Sequence, residues 1–95
     1  MALMLTRVKV ANFDEWKAMF DTDPVRAREK ATGYRILRGI EIPNEVYIQV
    51  EFPSDEAARE ARGRLLDAGV LDRQLEHHGP TLVEEADAVT YSPGT

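Results

Sequence analysis

The sequence predicts an α+β domain of element order β-α-β-β-α-β, the ferredoxin-like arrangement, with an antiparallel sheet and both helices on one face. Three observations lead to it. The stretch "YRILRGIEIPNEVYIQVEF" (34–52) holds two strand-like runs about a Pro-Asn turn. Helical words flank it, one opening at Asn12 and one at Ser54. Strand-like runs stand outside those, "LMLTRVKV" (3–10) and "TLVEEADAVTY" (81–91). Ninety-five residues make one domain, expected over 1–91, with 92–95 a flexible polar tail.

Each element has a local reason. In the first strand Thr6, Val8 and Val10 alternate with Leu5, Arg7 and Lys9. Asn12 opens a helix as its cap, and Glu15 completes a capping-box pattern. Phe13, Trp16 and Phe20 share one helical face. Asp23-Pro24 interrupts and restarts that helix, an N-cap aspartate followed by first-turn proline, so two helical pieces are expected over 12–22 and 24–32, with Gly33 as the stop.

The hairpin is the strongest signal. Proline in its turn argues against a tight two-residue loop, so about four loop residues are expected. Pairing Glu41 with Val46 then sets Leu37 opposite Val50 and Arg35 opposite Phe52 on an apolar, helix-facing side. The other side would carry Tyr34, Ile36, Arg38 and Ile40 against Tyr47, Gln49 and Glu51.

Ser54 caps the second helix, with Asp55 and Glu56 where the helix dipole favours them. Ala58, Ala61 and Leu65 form its inner face, and Gly69 ends it. A short turn over 71–78 leads into the last strand, which has a break expected at 85–87.

Composition narrows the function. A chain this short buries roughly 60–65% of its unfolded surface, so its core is thin. It has no cysteine, which excludes disulfides and thiolate metal sites. Self-association is the remaining remedy. The apolar second face of the sheet needs a cover, and a second copy supplies one, giving a homodimer through the sheet. The net charge of -5 and the scattered basic residues argue against a nucleic-acid partner. No run approaches the roughly 18–20 apolar residues of a membrane span, and the N-terminus does not read as a signal peptide. A cytoplasmic location is the default expectation.

The words "FDEWKAMFDTDPVRA", "GYRILRG" and "PNEVYIQVEFPSDEAAR" resemble the dimeric α/β-barrel superfamily, and within it the small proteins related to antibiotic-biosynthesis monooxygenases. The resemblance covers nearly the whole chain. It implies two ferredoxin-like protomers whose sheets close into a barrel, with small-molecule clefts between helices and sheet. It also implies an activity among cofactor-independent oxygenases, haem-degrading enzymes, isomerases and proteins without assigned chemistry. The haem-degrading pattern is incomplete here: Asn12 sits at a strand-helix junction and the single tryptophan, Trp16, lies on a helix. No cofactor and no metal are expected.

The candidate site residues each carry two readings. Adjacent His77 and His78 on a helix would point about 100° apart and could not share one ion. Before Gly79-Pro80 they read as the end of a helical turn, or one of them as a proton carrier in a cleft. Trp16 and Phe20 read as core, or as the walls of a pocket for a flat apolar or aromatic molecule. Arg38 reads as an interface ion pair, or with Tyr34 or Tyr47 as the cation that holds a developing oxyanion. Asn12 reads as a cap or a pocket donor.

Two function classes follow: a cofactor-independent monooxygenase of an aromatic or polyketide-like substrate, or a non-catalytic dimeric ligand-binding or assembly module. An isomerase or cyclase on the same fold is a third option. Convergence of Trp16, Arg38, Tyr47 and a histidine around one cavity is the mark expected of the enzyme. Their scatter is the mark of the module.

Overall fold

The computed structural model describes residues 2–92. The chain runs β1 (Ala2–Lys9), α1 (Phe13–Asp21), β2 (Gly33–Arg38), β3 (Glu45–Phe52), α2 (Asp55–Ala68), a 3-10 turn (Val70–Arg73) and β4 (Glu76–Glu84). The expected β-α-β-β-α-β order and antiparallel sheet are therefore present. The strands lie in the order β2-β3-β1-β4, with both helices over one face. Of the expected tail, residues 93–95 lie outside the described residues.

Alternation builds the core. Ala2, Met4, Thr6 and Val8 of β1 point to the helices, beside Val46, Ile48, Val50 and Phe52 of β3, and all are buried. Small residues of α2 (Ala57, Ala58 and Ala61) bring that helix close to the sheet, and Trp16 fills the space under α1. Among the described residues no helix is long and apolar enough to cross a membrane.

The hairpin departs from its expected register. Arg38, not Glu41, pairs with Val46, and Leu37 faces Tyr47. The loop is longer than expected, covering 39–44, because it folds back on itself. Gly39 donates its N–H to Glu45 O at 2.8 Å, and a Cβ on Gly39 would run into the carbonyl oxygen of Ile42. The slip of three residues is odd, and side chains alternate with period two, so β2 is turned over. Tyr34, Ile36 and Arg38 face the helices, while Arg35 and Leu37 join Tyr47 and Gln49 on the open side.

The second helical piece is absent. Residues 22–32 form a chain of turns, with Asp23 at φ 46° and Arg26 at φ 53°. Aspartate tolerates the left-handed region better than most residues. The Asp23 carboxylate accepts the main-chain N–H of Arg28 at 3.2 Å, closing a loop where a helix cap was expected. Asn12 and Ser54 do cap, accepting the N–H groups of Glu15 at 2.9 Å and Ala57 at 3.1 Å. Gly69 ends α2 in the left-handed conformation, at φ 65°.

The last strand begins earlier than expected. Leu75 donates its N–H to Lys9 O at 3.0 Å, and His77 and His78 then pair with Val8 and Arg7. They belong to β4, not to the end of a helical turn. Gly79 and Pro80 together oppose Thr6, a bulge that resets the register to Thr81 opposite Leu5. Gly79 sits at φ 92°, and a Cβ there would lie 2.7 Å from Leu5 O.

Candidate functional site

The cleft follows from the packing. Helix α1 carries Phe13, Trp16 and Phe20, with Phe20 meeting Tyr34 and Phe13 meeting Arg38 of β2, while α2 lies over β1, β3 and β4. Between them residues 22–32 and the 3-10 turn close a cavity with a free volume of about 80 Å³. Trp16, Met19, Phe20, Ile48, Val50 and Leu71 make its walls apolar. The polar groups that reach it are Thr6, Asp23, Arg28 and Gln74. Thr6 is buried on the inner face of β1.

An aromatic ladder forms one wall. Phe13 and Trp16 have ring centroids 5.9 Å apart, Trp16 and Phe20 stack at 5.1 Å, and Tyr34 meets Phe20 edge-on at 5.3 Å. One guanidinium covers the Phe13 end of the ladder and another lies over Phe20 and Tyr34. Arg38 lies 4.0 Å from the Phe13 centroid, and Arg28 lies 3.8 Å from that of Phe20. Arginine over an aromatic face gains from the ring quadrupole. Arg28 also donates to the carbonyl of Phe20.

The opposite, open face of the sheet carries a broad concavity of about 460 Å³ lined by Leu5, Arg7, Leu37, Tyr47, Gln49 and His78. Arg7 lies 3.4 Å from Glu45 and 3.8 Å from Glu76. Tyr47 donates to Glu45, and that hydrogen bond holds its phenol above the ordinary value of 10.0.

No family model matches the sequence, and no curated protein is significantly similar to it. Solved structures are. A single-site variant of SnoaB, a cofactor-independent oxygenase from Streptomyces nogalater, has a TM-score of 0.69 at 20% identity, over 95% of this chain and 97% of that one. A structure from Deinococcus radiodurans, described as a candidate antibiotic biosynthesis monooxygenase, has a TM-score of 0.60 at 11% identity, over 97% and 99%. A single-site variant of MhuD, carrying two manganese protoporphyrin IX per active site, has a TM-score of 0.58 at 18% identity, over 96% and 100%.

The fold is that of the antibiotic-biosynthesis-monooxygenase-like structures.

Within this monooxygenase-like fold the sequence-predicted site residues separate into groups. Trp16 and Phe20 line the cleft. Tyr34 stands at its outer edge, beside Arg28, in a second depression of about 310 Å³. Asn12 lines a shallower hollow with Trp16 and Gln74, its side chain engaged as the helix cap. Arg38 is drawn to the hairpin end, where Nε donates to Pro43 O at 3.1 Å. Tyr47 and His78 stand on the open face.

The two histidines diverge because neighbours on a strand point to opposite sides. His77 Nε2 lies 3.3 Å from Asp72 on the helix side, while its buried Nδ1 has no partner among the described residues. His78 Nε2 lies 3.6 Å from Glu76. Trp16, Arg38, Tyr47 and a histidine thus do not converge on one cavity. Among the described residues no group of His, Asp and Glu is arranged to hold a metal ion.

Sequence reasoning missed Arg28, Asp23 and Gln74, which lie in segments without a clean period. Thr6 had a signal, as the one polar residue in the inward series Met4, Thr6, Val8 and Val10.

Proposed function

We propose that the protein is a homodimeric small-molecule-binding domain whose cleft accepts a flat aromatic ring system. The observation that carries this reading is the cleft wall itself. A stacked Trp16–Phe20 pair shares the lining with apolar residues of the sheet, and a few polar groups, Thr6, Asp23, Arg28 and Gln74, complete it. Ligand sites commonly combine an apolar lining with a small number of placed polar groups.

The volume of about 80 Å³ is below the roughly 300–1,000 Å³ of a ligand site, so the cleft widens on binding. Residues 22–32, which lack regular structure, are the wall able to give way. Neither His77 nor His78 lines the cleft, so no imidazole is placed there to hold a haem iron.

The homodimer rests on the open face. Leu5, Leu37 and Tyr47 are 39%, 50% and 40% exposed there, around the concavity. Grouped apolar exposure of this kind marks an interface, and a second copy of the sheet is the proposed cover.

A second reading, oxygenation without a cofactor, is favoured by the likeness to SnoaB over most of both chains. An electron-rich aromatic would supply the electrons to oxygen itself. The scatter of Arg38, Tyr47 and the histidines favours binding over this chemistry.

Trp16 is the only tryptophan, so its fluorescence reports on the cleft. The test is titration with a panel of hydroquinones and anthrones while oxygen consumption is followed. Quenching with a flat oxygen trace establishes the binding domain. Oxygen uptake above the uncatalysed rate establishes the oxygenase. Unchanged fluorescence across the panel removes both.

A further inference from the structure

The aromatic cleft has one cationic residue in its lining, Arg28. We infer that Arg28 selects the ligand: the cleft takes a flat aromatic molecule carrying an acidic oxygen (carboxylate, enolate or phenolate), and the Arg28 guanidinium binds that oxygen. This rests on the small-molecule reading above and names its substrate class.

Position comes first. Arg28 lines the inner cleft of about 80 Å³ and also the outer depression of about 310 Å³ that Ala31, Thr32, Gly33 and Tyr34 complete. It is the one residue common to the two linings, so its side chain is the partition between them. The side chain is 19% exposed, so most of it is withdrawn from water. Moving it aside joins the two spaces into one of a few hundred Å³, the size of a ligand site.

Unused hydrogen-bonding capacity comes second. A guanidinium presents five N–H donors in a planar fork. Here Nη2 donates to Phe20 O, and Nε lies 3.7 Å from Asp23 Oδ1, beyond hydrogen-bond reach. Asp23 is engaged elsewhere, accepting the main-chain N–H of Arg28 through its two oxygens at 3.3 and 3.2 Å. The fork is thus held in place by stacking on Phe20, 3.8 Å away, and Tyr34, 5.1 Å away, more than by saturation of its donors.

Release is cheap. If Arg28 leaves the Phe20 carbonyl, that oxygen keeps the N–H of Asp23 at 3.0 Å. A ligand oxygen bound by the fork gains charge-assisted hydrogen bonds in a half-buried site. A neutral ligand of the same shape gains only the apolar wall.

The test uses a matched pair, 9-anthracenecarboxylate and 9-anthracenemethanol, titrated against Trp16 fluorescence and by calorimetry. The wild type is expected to prefer the carboxylate by roughly ten- to a hundred-fold, the range of a hydrogen bond to a charged group. Arg28→Gln is expected to abolish that preference, the ratio of the two affinities being the readout and not the alcohol's affinity by itself. Arg28→Lys retains part of it, because the charge stays and the fork is lost. Asp23→Asn removes the competing carboxylate at a position where asparagine tolerates the backbone, and is expected to tighten the carboxylate alone.

Equal affinity of the wild type for both ligands overturns the assignment while the aromatic cleft stands. Equal weakening of both ligands in a folded Arg28→Gln protein also overturns it, leaving Arg28 as a shaping residue. If neither ligand alters the wild-type signal, the cleft reading falls and takes this inference with it.

Discussion

The indole of Trp16 lies stacked on the ring of Phe20, with centroids 5.1 Å apart and planes inclined by 29°. Trp16 is 7% exposed, so the pair is at once core and cleft wall. Trp16→Ala is expected to destabilise the fold by about 3–5 kcal/mol, the range for removing a large buried aromatic. Trp16→Phe keeps a ring against Phe20 and is expected to recover the larger part. Urea unfolding followed by circular dichroism measures both. A loss under about 1 kcal/mol for the alanine variant would remove Trp16 from the core.

Two glycines are expected to answer alanine with opposite signs. At Gly79 the φ of 92° and the Leu5 oxygen 2.7 Å from a built Cβ both oppose a side chain. Gly79→Ala should cost about 1–3 kcal/mol. Gly63 lies inside α2 with nothing within 4 Å of a built Cβ. Gly63→Ala should stabilise by about 0.5–1 kcal/mol, as helix interiors prefer alanine. Paired melting curves test the contrast.

Glu60 should add to the acid sensitivity of the fold. The Lys30 ammonium donates to its carboxylate at 3.1 Å, and Arg64 lies 2.8 Å away, holding its carboxyl below the ordinary value of 4.5. A carboxyl depressed in the folded state adds stability above its unfolded value and loses it as pH falls through the folded one. Glu60→Gln should therefore lower stability at neutral pH and flatten the acid limb below about pH 4.5. The group is exposed, so the effect should shrink in high salt. Denaturant midpoints across pH, at two ionic strengths, decide it.

Charge on the open face should dissolve the proposed dimer. Leu37 is 50% exposed on that face. Sedimentation equilibrium is expected to give a wild-type particle of about twice 10.7 kDa. Leu37→Asp should give the single mass with its circular dichroism unchanged. A lone wild-type protomer at micromolar concentration would remove the dimer and leave the fold intact.

Where one physical signal ruled, the sequence was readable. Alternation marked β1 and β3, and capping chemistry marked α1 at Asn12 and α2 at Ser54. Where two signals competed, it was not. The Pro-Asn pair announced a turn but not its length, and only the fold-back around Gly39 sets the register that turns β2 over. Asp23-Pro24 has the form of a helix start, yet the Asp23 carboxylate closes a loop on the amide of Arg28. The site suffered most, because Arg28 and Asp23 gain their meaning from that loop. Trp16 and Phe20 were legible because a helical period placed them together.

Strand order also governs how this chain is made. β1 sits in the middle of the sheet, yet one of its two neighbours, β4, begins only at Glu76. On the ribosome, β1 emerges ahead of β4 and waits on the order of several seconds for that neighbour at ordinary rates of synthesis. During that wait the nascent chain holds the apolar side of β1 beside an unfilled edge. A chaperone acting at the exit tunnel would find a target there, on the uncovered side of β1.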